Sequence, residues 1–231
     1  MLNRNEIDAL FPADLPGPEH WEQRYPLRNL PQGALVTRFC PSPTGFAHLG
    51  GVYVAMLDKD LARQSGGDYF IRIEDTDQAR TVEGATAQFD AAFGYFGVTS
   101  DEDEATGAYG PYTQSARAEI YLTYVRAFLR DGRAYLCFAT KDELAAATEE
   151  QRAGKVPTGY YGRWAIWRDA PDERVRERLA AGRPYVVRFR SPDEPGRISY
   201  TDLVRGTLEA DANRNDIVIL KSSDSVLRLP T

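Results

Sequence analysis

What most constrains the fold is a rhythm running from residue 34 to residue 97. Ala34 to Cys40 (ALVTRFC) is a β-branched and aromatic run and predicts a strand. Pro41 to Gly51 is rich in turn formers. Val52 to Gln64 then carries apolar residues at Val54, Leu57, Leu61 and Ala62, the spacing of a helix. Gly66 and Gly67 end it, Asp68 to Glu74 predicts a second strand, and Val82 to Phe96 a second helix that stops near Gly97. Strand, loop, helix, strand, helix is the order of a parallel, doubly wound α/β sheet, in which ligands bind at the carboxyl ends of strands. That rule directs attention to the loop after Cys40 and to Glu74.

The flanking segments follow different patterns. Residues 1–34 hold Pro12, Pro16, Pro18, Pro26 and Pro31, which exclude long helices there except over Asn3 to Leu10. They are expected to be an N-terminal extension, with Trp21 and Tyr25 packing it onto a domain. Residues 35–107 form the first half of the α/β domain. After Gly107, Ser115 to Arg130 predicts a helix with Ile120, Tyr124, Ala127 and Phe128 on one face. Arg133–Phe138, Lys141–Gln151 and Tyr160–Trp167 follow, and then strands over Pro184–Arg190 and Gly196–Leu208. The mixed pattern predicts an inserted α+β domain over 108–210. Asp216 to Leu220 (DIVIL) is expected to return to the main sheet, within a last segment 211–231.

Composition excludes several classes of function. The net charge of −6 and a pI near 5.1 argue against a general nucleic-acid binder, although a local basic surface is compatible with them. Between Arg163 and Arg190 eight arginines face four acidic residues (Asp169, Asp172, Glu173, Glu177), which reads either as a solvated helix face or as a phosphate contact. No apolar run reaches the roughly 18 residues of a membrane span. Met1–Leu10 lacks the apolar stretch of a signal peptide. Two distant cysteines, Cys40 and Cys137, do not make a disulfide framework. A cytoplasmic location, with no membrane association, is expected.

Two motifs carry chemistry. The first runs from Arg38 to Gly51. A helix opening on Gly50 and Gly51 presents free N–H groups and the positive end of its dipole to an anion, and His48 can donate a hydrogen bond to a phosphate. The second is Arg72-Ile-Glu-Asp-Thr-Asp77 followed by Arg80. Glu74, at a strand's carboxyl end, can receive an ammonium group as a charge-assisted hydrogen bond. The plainer alternative is a surface pair with Arg72 or Arg80.

Taken whole, the first string resembles the HIGH signature of class I aminoacyl-tRNA synthetases in the form seen in glutamate–tRNA ligases, here His48-Leu49-Gly50-Gly51. The second string is similar to that family's RIEDTD motif. Gly110-Pro-Tyr-Thr-Gln-Ser115 with Arg117, Ala134–Phe138, Asp202–Gly206 and Asp216–Ser222 also have counterparts there. The resemblance implies a Rossmann-type nucleotide-binding fold with an acceptor-stem-binding insertion, acting on ATP with Mg2+, L-glutamate and tRNA(Glu). It implies glutamate contacts at Arg38, Ser42 and Glu74, and ATP contacts at Thr44, His48, Gly50 and Gly51, with His48 also catalytic. It implies tRNA contacts at Arg80, Gln114, Ser115 and Arg117. A monomer is expected.

The chain also departs from that pattern. Cys40 stands where the family usually has alanine. Some members bind zinc through Cys-x-Cys and a later Tyr-x-x-x-Cys. Here those positions read Cys137, Ala139, Tyr160 and Trp164, and one thiolate cannot make a four-ligand site, so no zinc is expected. After Asp224 the sequence runs Ser225–Thr231 without the family's later lysine loop (KMSKS) or anticodon-binding region. The expectation is a truncated catalytic portion with little activity of its own. A glutamyl-queuosine tRNA synthetase paralogue and a non-catalytic tRNA- or nucleotide-binding fragment remain open as alternatives.

Overall fold

The computed structural model describes residues 2–76, 80, 82–104, 106–192, 196–202 and 204–221. Packing divides the chain into two compact units, one of residues 16–123 and one of residues 1–15 with 124–231. The sequence segments, by contrast, meet at residues 34, 107 and 210.

In the unit of residues 16–123, helix α2 (Pro18–Arg24) starts on Pro18, where the missing N–H costs nothing. Trp21 and Tyr25 do pack: the indole N–H donates to Thr123 Oγ1 at 3.0 Å and the Tyr25 hydroxyl to the Gly110 carbonyl. Strands β1 (Thr37–Phe39) and β2 (Tyr69–Ile71) pair in parallel, Arg38 opposite Phe70. The chain adds a third line beside β2 through bridges Phe70–Glu102 and Ile73–Thr113. Between the strands runs α3 (Leu49–Ser65), ended by Gly66 in the left-handed region (φ 73°). A Cβ on Gly67 would lie 1.9 Å from the Leu35 carbonyl oxygen, so only glycine allows the turn into β2 to pass so close to that backbone. Helix α4 (Ala85–Tyr95) contributes Phe89 and Phe93 to a core with Val52, Ala55, Ala62, Tyr69 and Val98.

One expectation about α3 is corrected. Of the four residues whose spacing predicts the helix, only Ala62 is buried, while Val54, Leu57 and Leu61 face water. The small side chains of Ala55 and Ala62 lie against the sheet instead, with Val52.

In the other unit, α1 (Arg4–Asp8) has a capping box between Asn3 and Glu6. Arg176 and Arg130 pair with its Glu6 and Asp8. Helix α5 (Ala118–Arg130) leads into this unit, and its buried residues Ile120, Thr123, Val125, Arg126 and Leu129 lie largely beside the expected stripe. An antiparallel sheet of β3 (Ala134–Cys137), β4 (Val186–Phe189) and β7 (Val218–Lys221) has β4 in the middle. The DIVIL run therefore pairs with β4 rather than with the β1–β2 sheet. Helix α6 (Lys141–Ala153) is capped by Thr140 and Glu143, and α7 (Asp172–Ala180) follows. The stretch expected as one strand over Gly196–Leu208 is a hairpin, β5 (Arg197–Asp202) and β6 (Gly206–Asp211). Asp202 Oδ1 accepts from the N–H groups of Val204 and Arg205, and Gly206 takes φ 75°, which turns the chain back.

Most of the arginine-rich stretch is spent inside this unit. Arg168 and Arg188 are buried, Arg174 lies over the Trp167 ring at 4.0 Å, and Arg190 pairs with Asp169. At its centre Asp216, wholly buried, accepts from Arg168 Nη1 at 2.5 Å, the Tyr135 hydroxyl at 2.6 Å and the Ser191 N–H at 2.8 Å.

Candidate active site

Parallel pairing continues past the ends of β1 and β2. The Arg72 N–H donates to the Phe39 carbonyl (3.0 Å), that of Glu74 to Pro41 (2.9 Å), and that of Val82 to Pro43 (2.8 Å). These bonds hold the loop after β1 against the segment after β2. Pro41 and Pro43 are buried under it, and Ser42 between them is exposed. Its hydroxyl donates to the Glu74 carbonyl at 3.1 Å.

Glu74 meets Arg38 across this junction, Nη1 to Oε1 at 3.0 Å. The side chains keep 32% and 19% of their exposure, enough for an incoming group to compete for either partner. Glu74 thus pairs with Arg38, not with Arg72 or Arg80, and three of the expected site residues, Arg38, Ser42 and Glu74, converge. Cys40 lies close by, and burial, with a smaller contribution from Glu74, pushes its thiol above the ordinary cysteine range.

His48 is the N-cap of α3, and its Nδ1 accepts from the Gly51 N–H at 3.2 Å. A neutral imidazole that accepts at Nδ1 carries its proton on Nε2, which is left to donate. The ring lies against the first turn of the helix: a Cβ on Gly50 would sit 3.3 Å from Nδ1. Ser42, Thr44, Gly45, His48 and Gly51 line an open cleft, and Phe39, Phe89 and Phe93 are among its apolar lining. Thr44, His48 and Gly51 are thereby brought together, with Gly50 under the imidazole.

The four expected tRNA contacts are placed differently. Arg80 is exposed. Gln114 is buried, at 4% exposure. Ser115 bonds Asp75 through both its N–H (2.8 Å) and its hydroxyl. Arg117 Nη1 donates to the Tyr109 and Pro111 carbonyls at 3.2 and 2.9 Å. Asp75, absent from the expected set, is the anchor of this turn. Its signal in the sequence is its place in the second motif, directly after Glu74. Asp77, the last residue of the second motif, lies outside the described residues, as do residues 222–231.

In the other unit the Cys137 thiol donates to the Tyr160 hydroxyl at 3.3 Å. Among the described residues there is no group of three or more His, Cys, Asp or Glu able to hold a metal ion, and no helix is long and apolar enough to cross a membrane.

The family model for tRNA synthetases class I (E and Q), catalytic domain, matches residues 34–226. Glutamate–tRNA ligase of Sorangium cellulosum (strain So ce56) is 44% identical over 223 residues, covering 89% of this chain and 39% of that protein. The enzyme of the same name from Clostridium perfringens (strain 13 / Type A) is 43% identical over 227 residues, covering 96% and 42%. The crystal structure of a glutamate tRNA ligase from Elizabethkingia meningosepticum CCUG26117, in complex with its amino acid, aligns with a TM-score of 0.71 at 36% identity. It covers 82% of this chain and 39% of that one. The chain spans about two fifths of the length of the curated relatives it matches.

Proposed function

The chain belongs to the class I tRNA synthetases for glutamate and glutamine, through their catalytic domain, and from that premise we propose that it supplies the amino-acid- and ATP-binding part of a glutamate–tRNA ligase. The observation that carries this reading is the convergence of Arg38, Ser42 and Glu74 beside a cleft lined by Thr44, His48 and Gly51. Glu74 receives the substrate ammonium, Arg38 a substrate carboxylate, and the Ser42 hydroxyl a further polar group of the amino acid. ATP lies in the cleft, its phosphates near the His48 Nε2–H and the start of α3, where N–H groups and helix dipole favour an anion.

In the reaction a carboxylate oxygen of L-glutamate attacks the α-phosphorus of ATP. The bond to pyrophosphate breaks, leaving glutamyl-adenylate; the terminal hydroxyl of tRNA(Glu) then attacks its acyl carbon, forming the ester and releasing AMP. The described residues contribute orientation and charge rather than proton transfer. His48, placed here as a donor to phosphate, is catalytic in that sense. Mg2+ arrives with ATP, and no side chain is assigned to it. We assign no zinc, since the lone Cys137 thiol is bonded to Tyr160. Arg80 is the outward-facing tRNA contact. Gln114, Ser115 and Arg117 act through the turn they hold, and residues 108–210 serve as the acceptor-stem insertion. The protein works as a cytoplasmic monomer.

The test is calorimetric binding of 5′-O-(N-L-glutamylsulfamoyl)adenosine, a stable mimic of glutamyl-adenylate. Saturable one-to-one binding that weakens about 10- to 150-fold in Glu74→Gln is the expected result. Absence of binding to the unaltered chain overturns the assignment.

A further inference from the structure

Helix α3 is apolar on two sides. Val52, Ala55 and Ala62 lie in the core, while Leu49, Tyr53, Val54, Met56, Leu57 and Leu61 keep 41–74% of their exposure. At about 100° per residue these six span an arc of about 160°. The one charge within that arc, Asp60, bonds Arg63 on the same helix. A helix that is apolar all round belongs inside a protein, and a contiguous face of this kind marks a contact surface. The strand beside it is open on one side. The Thr37 N–H donates to the Asp68 carbonyl and the Phe39 carbonyl accepts from Arg72, so the N–H and C=O groups of Val36, Arg38 and Cys40 point away from β2. Among the described residues no strand meets that edge. The edge adjoins α3: the Thr37 hydroxyl donates to the Asp58 carbonyl and the Leu35 N–H to Ser65 Oγ. Parallel strands are ordinarily buried, and an open edge is a template for a further strand.

We propose that the open edge of β1 and the outer face of α3 are one docking surface, and that its occupant is the remainder of a glutamate–tRNA ligase. That polypeptide adds a strand along β1 and lays an apolar face against α3. This rests on the reading, given above, of the chain as one part of such a ligase. Its curated relatives carry about three fifths of their length outside the part that this chain matches. A second copy of the chain fits the surface less well, because two chains of net charge −6 repel each other. The assembly holds one copy of each part, in keeping with the monomer assigned above. The added strand runs beside the Arg38 backbone, so the docked polypeptide also borders the amino-acid site.

The test co-expresses the whole chain with the remainder of the Clostridium perfringens enzyme, the part outside its match to this chain. The product is read without ligand, by size-exclusion chromatography with light scattering and by hydrogen–deuterium exchange. A one-to-one complex is expected, in which the Val36, Arg38 and Cys40 amides exchange about tenfold or more slowly than in the chain alone. Leu57→Lys, on the exposed face where the fold tolerates a charge, should weaken the complex by about tenfold or more. Leu27→Lys, at a residue 98% exposed and off this surface, should leave it unchanged. Absence of a complex overturns the proposal, and so does a complex in which those three amides exchange as before. Equal weakening by Leu57→Lys and Leu27→Lys reveals unspecific adhesion and overturns it as well. A particle of two copies of the chain alone, with those amides protected, makes the occupant a second copy and overturns the one proposed. A chain that binds the glutamyl-adenylate mimic but forms no complex leaves the preceding assignment standing, and one that forms the complex without binding the mimic removes that assignment alone.

Discussion

Arg38–Glu74 and Arg168–Asp216 are the same chemical pair in two surroundings. Arg38 and Glu74 are partly exposed and share a single contact at 3.0 Å. Arg168 and Asp216 are 8% and 0% exposed, and Asp216 also holds Tyr135 and the Ser191 backbone. Burial raises both the attraction of a pair and the cost of removing one member. The open pair can give up one bond to a ligand that supplies another. The closed pair cannot, and it serves to lock β3, the segment before β7 and the Arg168 turn into one arrangement.

The widest separation between the pairs should come from Asp216→Ala. It removes the carboxylate that neutralises a buried guanidinium and accepts from a tyrosine hydroxyl, at about 3–5 kcal/mol. The thermal midpoint, followed by circular dichroism, should fall on the order of 10 °C. A fall of only a degree or two would erase the distinction between the two settings.

Glu74→Gln should do the reverse. Affinity for the glutamyl-adenylate mimic should drop about 10- to 150-fold, the worth of one charge-assisted hydrogen bond. The melting midpoint should barely move, because a partly exposed pair contributes about 0–1 kcal/mol. A large loss of stability with unchanged affinity would make Glu74 another Asp216.

A third pair lies between these extremes. Arg28 bonds Asp68 and Glu102, and its hydrogen bond holds the Glu102 carboxyl below the ordinary value of 4.5. A depressed folded-state pKa gives stability that is present above the unfolded value and lost as pH falls through the folded one. Glu102→Gln should therefore be less stable than the unaltered chain at neutral pH by about 1.5 kcal/mol. That gap should close on acidification below 4.5. Urea titrations at several pH values would measure it, and a pH-independent gap would assign the loss to packing.

The smallest effect concerns Cys40, whose raised thiol leaves less thiolate at a given pH. Iodoacetamide at pH 8 should alkylate it more slowly than free cysteine, by about a few-fold. Glu74→Gln, which removes one of the causes of the shift, should speed the reaction.

The sequence made the local parts of this molecule legible. Each of α3, β2 and the Gly66–Gly67 turn is encoded within a few residues, and the loop from Arg38 to Gly51 carries its own stiffening prolines and glycines. Non-local choices were hidden. Nothing in Asp216–Leu220 states that the strand will pair with Val186–Arg188, because register depends on a segment some thirty residues away. The arginines between 163 and 190 read either as a solvated helix face or as a phosphate contact, yet several are consumed by Trp167, Asp169 and Asp216, partners that composition does not identify. Arg72, a charged residue in a charged turn, reads as solvated, yet it is half-buried and its Nε is enclosed.

The wet flank of α3 bears on how this chain behaves as a colloid. Leu49, Tyr53, Val54, Met56, Leu57 and Leu61 all face water on one helix, and a contiguous apolar strip of that kind attracts its like. The net charge of −6 opposes the attraction, but that repulsion reaches only about 10 Å at 0.1 M salt and about 3 Å at 1 M. Raising ionic strength therefore removes the repulsion and leaves the attraction, and concentrated solutions of the chain should turn cloudy as salt is added. Low-salt buffer, well above the pI, is the condition under which the binding measurements on this molecule should be made.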